Sequence, residues 1–398
     1  MPERNLDFDC IVERRGTRSM KYDFAKESGM PEDVLPFWVA DMDFKTTSYV
    51  EDALSDVVAR NIYGYSNIKK GDGFFEAIAG WMKRHHNWDV KQQWHVHTPG
   101  VCFAISNAVR AYSNEGDAVI IQQPVYYPFK NIILQNNRKL VSNDLVYDEN
   151  GHYTIDFDDF ENKIKENQVK LFILCNPHNP VGRVWTKEEL EKLGDICQKY
   201  HVIVFSDEIH FDFIWSGTHQ IFQEIKPEYR EFTITATAPS KTFNLAGAQQ
   251  SNLFIPNMEL KRKFITEYEI SGLDEPNIFG ITTTEAAYTY GDEWYEAVKK
   301  YIKANIDFVD DYIRENVPGV KVIPTEGTYL VWLDFKGTGI DATRLDDLMI
   351  NKAKLWLDSG SIFGKTGAGF QRINVACPRS LLEEALQRIK NSLEEIRF

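Results

Sequence analysis

The chain has 398 residues, 43% of them hydrophobic, with 25 Phe, 18 Tyr and 9 Trp. That is enough for a large core and too long for one small domain. A net charge of −14 at pH 7 disfavours phosphate backbones, so nucleic acid is not an expected partner.

The opening stretch, MPERNLDFDCIVERRG, is charged and has no apolar core of a secretory signal. No apolar run is long enough to span a bilayer, so a cytoplasmic protein without membrane contact is expected. Five scattered cysteines, Cys10, Cys102, Cys175, Cys197 and Cys377, form no CxxC pair, which argues against a zinc site or a disulfide framework. Cys175 and Cys377 lie in apolar runs and read as core.

Irregular chain runs to about Phe44 and ends in PFWVADMDF. Amphipathic helices are expected near 47–61 and 74–86. From Trp94 the pattern alternates. WHVH (94–97) reads as a strand, TPG as a turn and VCFAISNAVRAY (101–112) as a helix. AVIIQ (118–122) and LFILC (171–175) read as strands, the second ending in NPHNPVG, and a helix follows at 187–200. VIVFS (202–206) leads into DEIH, TITAT (233–237) leads into APSK, and NLFI (252–255) is a further strand. Short apolar strands separated by helices predict an α/β fold with a mostly parallel sheet flanked by helices. A long helix near 293–315 then leads to TYLVWLDF, QRINVA and a last helix from Leu381. The expected division is an N-terminal segment (1–46) packing with the small domain, a large domain (47–290) and a smaller α/β C-terminal domain (291–398).

Ligands of open α/β sheets bind outside the carboxyl ends of the strands. Asn179, Asp207 and Lys241 each follow the end of a different strand, so they are candidates for one crevice. Lys241 sits after Ala238, Pro239 and Ser240, residues that turn or extend the chain, among small uncharged neighbours. It reads as a reactive amine, or as a solvated loop lysine if that stretch is taken alone. No GxGxxG opens a helix, since Gly71-Asp72-Gly73 begins no such unit, and there is no Walker loop or HExxH. His85, His86, His95 and His97 read as surface or strand-face residues, and no metal is expected.

Pyridoxal 5′-phosphate fits this set. It needs a lysine for a Schiff base, an acid for the pyridinium nitrogen and an anion cradle. Lys241 and Asp207 supply the first two, and Asn179 can donate to the ring's 3′ oxygen. The helix N-terminus after TPG suits a phosphate. Tyr126 or Tyr127 can stack on the ring, and Arg372 can clamp a carboxylate bidentately. Singly, each residue has a structural alternative: helix cap, turn former or surface ion pair. Jointly they fit one site.

The runs NPHNPVGRVW, SDEIHFDF, APSKTFNLAG and FQRINVA resemble fold-type I pyridoxal-phosphate enzymes of the aminotransferase superfamily. PFWVADMDF, GVCFAISNAVRAY, PVYYPF and EGTYLVWLDF narrow the resemblance to the cystathionine β-lyase branch, close to the cystalysin-like C–S lyases. The likeness runs from about Lys21 to the last helix. It implies that Lys241 is the Schiff-base lysine, Asp207 the pyridinium partner and Asn179 the 3′-oxygen donor. Tyr126 would stack on the ring, with Tyr127 near the reacting substrate. Gly100, Val101 and Cys102 would form the phosphate loop, helped by Ser240. Tyr65, in YGYS, would reach the phosphate of a neighbouring subunit, which implies a homodimer with shared active sites. Arg372 would hold the substrate carboxylate, with Asn179 and backbone near Ala40 assisting. Two positions depart from aspartate-type aminotransferases: His210, itself a candidate cofactor contact, replaces a tyrosine three residues after the ring-nitrogen acid, and Gln249 replaces a basic residue eight after the lysine. Both agree with the lyase branch.

The expected activity is therefore α,β-elimination from a sulfur amino acid, such as L-cystathionine or L-cysteine, to pyruvate, ammonia and a thiol or hydrogen sulfide. The alternatives are an aminotransferase on the same scaffold and a regulatory partner-binding protein that retains the cofactor site.

Overall fold

The computed structural model describes residues 2–148, 150–273 and 275–395. The expected strands are present, with ends shifted by a residue or two. The large sheet is formed by β1 (His95–Thr98), β2 (Ala118–Ile121), β3 (Lys139–Ser142), β4 (Leu171–Cys175), β5 (Ile203–Asp207), β6 (Thr233–Thr237) and β7 (Ser251–Phe254). Their spatial order is β1-β7-β6-β5-β4-β2-β3. Only β7 runs against its neighbours, pairing antiparallel with both β1 and β6, so the other six strands end along one edge. β4 and β6 are buried at every residue, as strands covered by helices on both faces must be.

The helices form where the caps and apolar spacing dictate. Lys187–Lys199 opens on a capping box between Thr186 and Glu189 and buries Leu190, Leu193 and Cys197. Val101–Tyr112 matches its expected bounds and buries Val101, Ala104, Ile105 and Ala108 against the sheet. Helices at Pro128–Gln135, Phe157–Asn167, Met258–Ile270 and Ile278–Tyr290, and strand β3, were not expected. The last of these helices buries Gly280, Thr283, Thr284, Ala286, Ala287 and Tyr288, so apart from Tyr288 its inner face is small and partly polar and lacks an apolar stripe. APSK also differs from the expected turn: Pro239–Thr242 is one turn of helix, with proline at its start, where the missing N–H costs nothing.

The long helix Asp292–Asn316 leads to a second, antiparallel sheet. Its strands are β8 (Lys321–Val322), β9 (Leu330–Asp334), β10 (Asp358–Ser359) and β11 (Phe370–Asn374), in the order β8-β9-β11-β10. The N-terminal segment docks on this half: Leu35 and Pro36 pair in parallel with Leu355 and Trp356, and Trp38 stacks on Trp356 at 4.3 Å. Among the described residues, no helix is long and apolar enough to cross a membrane.

Candidate active site

The three central strands bring the key side chains to one level. Cys175 on β4 lies opposite Asp207 on β5, and Asp207 lies opposite Ala236 on β6. Asp207 is thus the last residue of its strand, not the first after it. In the loop after β4, Gly182 adopts φ +74° and its carbonyl accepts from the N–H groups of Glu326 and Gly327. A Cβ at Gly182 would stand 3.3 Å from the Thr325 backbone, so glycine lets this loop close against the lead-in to β9. The same loop presents Asn179, whose carbonyl accepts from the Tyr126 N–H at 3.0 Å.

A cavity of about 200 Å³ opens at this edge. Ala40, Gly100, Val101, Cys102, Tyr126, Asn179, Asp207, His210, Ser240 and Lys241 all line it, together with Gln249 and Gln250. The Lys241 amine donates to the Ala40 carbonyl at 2.7 Å. Burial holds this amine below the ordinary lysine range; nearby Asp41 partly offsets the effect, and Arg372 adds to it. Asp207 is buried, its Oδ1 accepts from the Ile209 N–H, and burial pushes its carboxyl up to about 7. His210 is pushed far below the usual histidine range by burial and then by the positive charges of Lys241 and Arg372, so its ring is neutral. Its Nδ1 has no hydrogen-bond partner among the described residues.

Arg372 joins this cavity through Asn179. Its Nη1 donates to Asn179 Oδ1 at 2.9 Å and its Nη2 to the Trp38 carbonyl at 2.6 Å. Nη2 also contacts the carboxylate of Asp358, the cross-strand partner of Arg372 in β10. Both partners of that pair are buried, so Arg372 is not half of a surface ion pair. Tyr127 does not line the cavity but stands beside Tyr126, ring centroids 5.7 Å apart. Burial, and then the charge of Asp358, raise its hydroxyl above the ordinary tyrosine value.

The segment PFWVADMDF crosses the site as irregular chain that bends at Val39–Ala40 and Asp43–Phe44. The Trp38 carbonyl faces Arg372, while the Ala40 carbonyl faces Lys241 and also accepts from the Tyr329 hydroxyl at 3.0 Å. The Val39 and Asp41 carbonyls accept from Asn374 Nδ2. Asp41 and Asp43 project from this segment two residues apart. Arg14 grips both, and the fully buried Lys21 amine lies 2.7 Å from Asp43. Trp38, Asp358, Tyr329 and Lys21 were not singled out from the sequence. Asp358 carries the one retrievable signal, a lone acid between apolar runs.

Tyr65 does not line the cavity of its own chain and is 96% exposed. His85 and His86 are only partly exposed. His86 Nε2 sits 2.7 Å from the buried carboxylate of Asp212 with its ring stacked on Phe211, and His85 packs on Trp81 beside Asp292.

This donor set fits pyridoxal phosphate. A buried amine of lowered basicity can form a Schiff base, and a buried acid short of positive charge suits a protonated ring nitrogen. Gly100 has no heavy atom within 4 Å of where a Cβ would lie, and it opens a helix whose first-turn N–H groups are free to take an anion. The sequence profile of the family described as aminotransferase class I and II matches residues 32–389. The chain belongs to that family. Among aminotransferase class I and II proteins it is 39% identical to the cystathionine β-lyase PatB of Bacillus subtilis, over 98% of this chain and 100% of that one. The crystal structure of cystalysin from Treponema denticola, which contains pyridoxal 5′-phosphate, superposes with a TM-score of 0.93 at 38% identity, covering 98% of this chain and 99% of that one. A pyridoxal-phosphate-bound protein of Clostridium difficile 630, provisionally named an aminotransferase, superposes with a TM-score of 0.94 at 45% identity, covering 97% and 99%. The architecture is accordingly fold type I, with a mostly parallel sheet flanked by helices.

Proposed function

We propose that this aminotransferase-family protein is a pyridoxal-phosphate-dependent carbon–sulfur lyase. It eliminates the thiol from sulfur amino acids of the L-cystathionine and L-cysteine type, leaving pyruvate and ammonia. The observation that carries the reading is the Lys241 amine, buried and of lowered basicity, in one cavity with Asp207 and linked through Asn179 to Arg372. The relatives named cystathionine β-lyase support it.

In this reading Lys241 would hold the cofactor through Nζ, Asp207 would pair with its ring nitrogen, Asn179 with its 3′ oxygen and Tyr126 with its ring. Gly100, Val101, Cys102 and Ser240 would hold its phosphate, and His210 borders the same pocket. The bound cofactor supplies an electron sink that lets the bonds at Cα and Cβ of an amino acid break. The residues of the chain do the rest. Arg372 takes the α-carboxylate and fixes which bond at Cα faces Lys241. The Lys241 amine, whose basicity burial lowers, would take the Cα proton. Tyr127 or Lys241 returns a proton to the departing sulfur. The apolar walls exclude bulk water while this happens.

The reading includes a homodimer in which Tyr65 serves the site of the partner subunit. Its support is the exposure of Tyr65 beside Ile62, 78% exposed, and Tyr63, an apolar cluster that a second chain would cover. It also includes the division at about residues 46 and 290, supported by the separate sheets. The aminotransferase reading is favoured by the name of the Clostridium difficile protein. The test is borohydride reduction with peptide mapping, together with thiol release from L-cystathionine. Label on Lys241, and loss of thiol release in Lys241→Ala, are expected. Label on another lysine would overturn the reading.

A further inference from the structure

Arg372 has five N–H donors, and the structure shows where three of them go. Nη2 donates to the Trp38 carbonyl and contacts the Asp358 carboxylate; Nη1 donates to Asn179 Oδ1. Nε is buried and has no partner among the described residues. A guanidinium grips a carboxylate with two N–H bonds along one of two edges, Nε with Nη2 or Nη1 with Nη2. Nη2 belongs to both edges, and its two hydrogens are already committed. A substrate carboxylate therefore cannot take a two-bond grip until an Nη2 partner lets go.

The Trp38 carbonyl is fixed in the chain that crosses the site. Asp358 is a side chain at the start of a two-residue strand, directly across from Arg372. It carries the same charge as the incoming group. We propose that Asp358 is a built-in competitor for the substrate's α-carboxylate, holding the Arg372 fork in place in the substrate-free protein and yielding Nη2 when an amino acid binds. The inference rests on the proposed role of Arg372 and adds to it what sets its affinity.

Two carboxylates on one buried guanidinium repel each other. The Asp358 carboxyl already lies above its ordinary range because of burial, with Arg372 only partly offsetting this. Neutralising it leaves a free cationic fork. Asp358→Asn keeps an oxygen to orient Arg372 while removing the charge. Asp358→Ser is a second variant that clears the position if the amide packs badly.

The test uses the holoenzyme of the wild type, Asp358→Asn, Asp358→Ser and Arg372→Lys. It measures KM and kcat with L-cystathionine and, by titration calorimetry, the Kd of propionate, a carboxylate without the amine that would engage the cofactor. The expected result is a fall of roughly three- to tenfold in both KM and the propionate Kd for the two Asp358 variants, with KM moving more than kcat, while Arg372→Lys raises both. If the Asp358 variants leave KM and Kd unchanged or higher while Arg372→Lys raises them, Asp358 only supports Arg372 and the inference falls. If Arg372→Lys moves neither quantity, the role of Arg372 fails and takes this inference with it.

Discussion

Arg372 and Asn179 lie 193 residues apart in sequence, yet the Nη1 of one donates to the Oδ1 of the other at 2.9 Å. This bond ties the Arg372 guanidinium on the small sheet to the loop after β4. It also sets the Asn179 amide, whose Nδ2 donors remain for another partner. Arg372→Lys is expected to lower kcat/KM for L-cystathionine by about ten- to a hundredfold, the worth of a charge-assisted pair of roughly 1.5–3 kcal/mol. Steady-state kinetics checks this, and the visible spectrum of the holoenzyme should change little.

Asp207 gives a pH signature in the cofactor-free protein. Its folded-state carboxyl is raised to about 7, against roughly 3.9 in an unfolded chain. Between these values the folded protein keeps a proton that the unfolded chain has released. Stability attributable to this group therefore falls as pH rises from about 4 to 7, by on the order of a few kcal/mol. Asp207→Asn removes that dependence. Melting temperatures from pH 4 to 8 should show the variant gaining on the wild type up to about pH 7 and levelling off above it. Adding pyridoxal phosphate should shrink the gap, because a protonated ring nitrogen restores a counter-charge. A gap that does not vary with pH would sink this assignment.

The buried Lys21 amine, 2.7 Å from Asp43, holds the segment that contacts both Lys241 and Arg372. Lys21→Met leaves a buried carboxylate short of its cation and should cost about 3–5 kcal/mol. Asp43→Asn in the same chain should recover part of that loss, since the stranded charge is gone. Urea unfolding of the single and double variants measures the coupling; strict additivity would contradict it.

If Tyr65 works across the subunit interface, two defective chains can complement each other. A Lys241→Ala chain keeps its own Tyr65, and a Tyr65→Ala chain keeps its own Lys241. In a mixed dimer, one site combines the good half of each. After unfolding and refolding together, the mixture should be more active than either variant alone. Activity no higher than their average would place Tyr65 in its own chain's site or outside catalysis.

Much of this arrangement was legible in the sequence, for physical reasons. LFILC and TITAT are covered on both faces, so burial prints them as unbroken uncharged runs. The residues just beyond them are forced to one sheet edge, which is why Asn179, Asp207 and Lys241 could be placed together before any coordinates. Ile278–Tyr290 was not legible because its buried face, Tyr288 apart, uses Thr, Gly and Ala, which leave no hydrophobic period. Asp358 was missed because its meaning depends on cross-strand register with Arg372, and register between short strands is set by tertiary packing. Nothing local in the sequence marks Lys21; only the fold shows that it is buried beside Asp41 and Asp43. His86 reads as a surface or strand-face residue because its partner Asp212, 126 residues away, gives no local signal.

The central claim is that this cavity performs elimination and not amino transfer. The most direct measurement is pyruvate formed from L-cystathionine by the purified holoenzyme, with and without an added 2-oxo acid. Elimination predicts steady pyruvate release, matched by ammonia and thiol, at a rate that the 2-oxo acid does not change. Pyruvate formation that is absent, with substrate consumed only when the 2-oxo acid is present, would contradict the account and make the protein an aminotransferase.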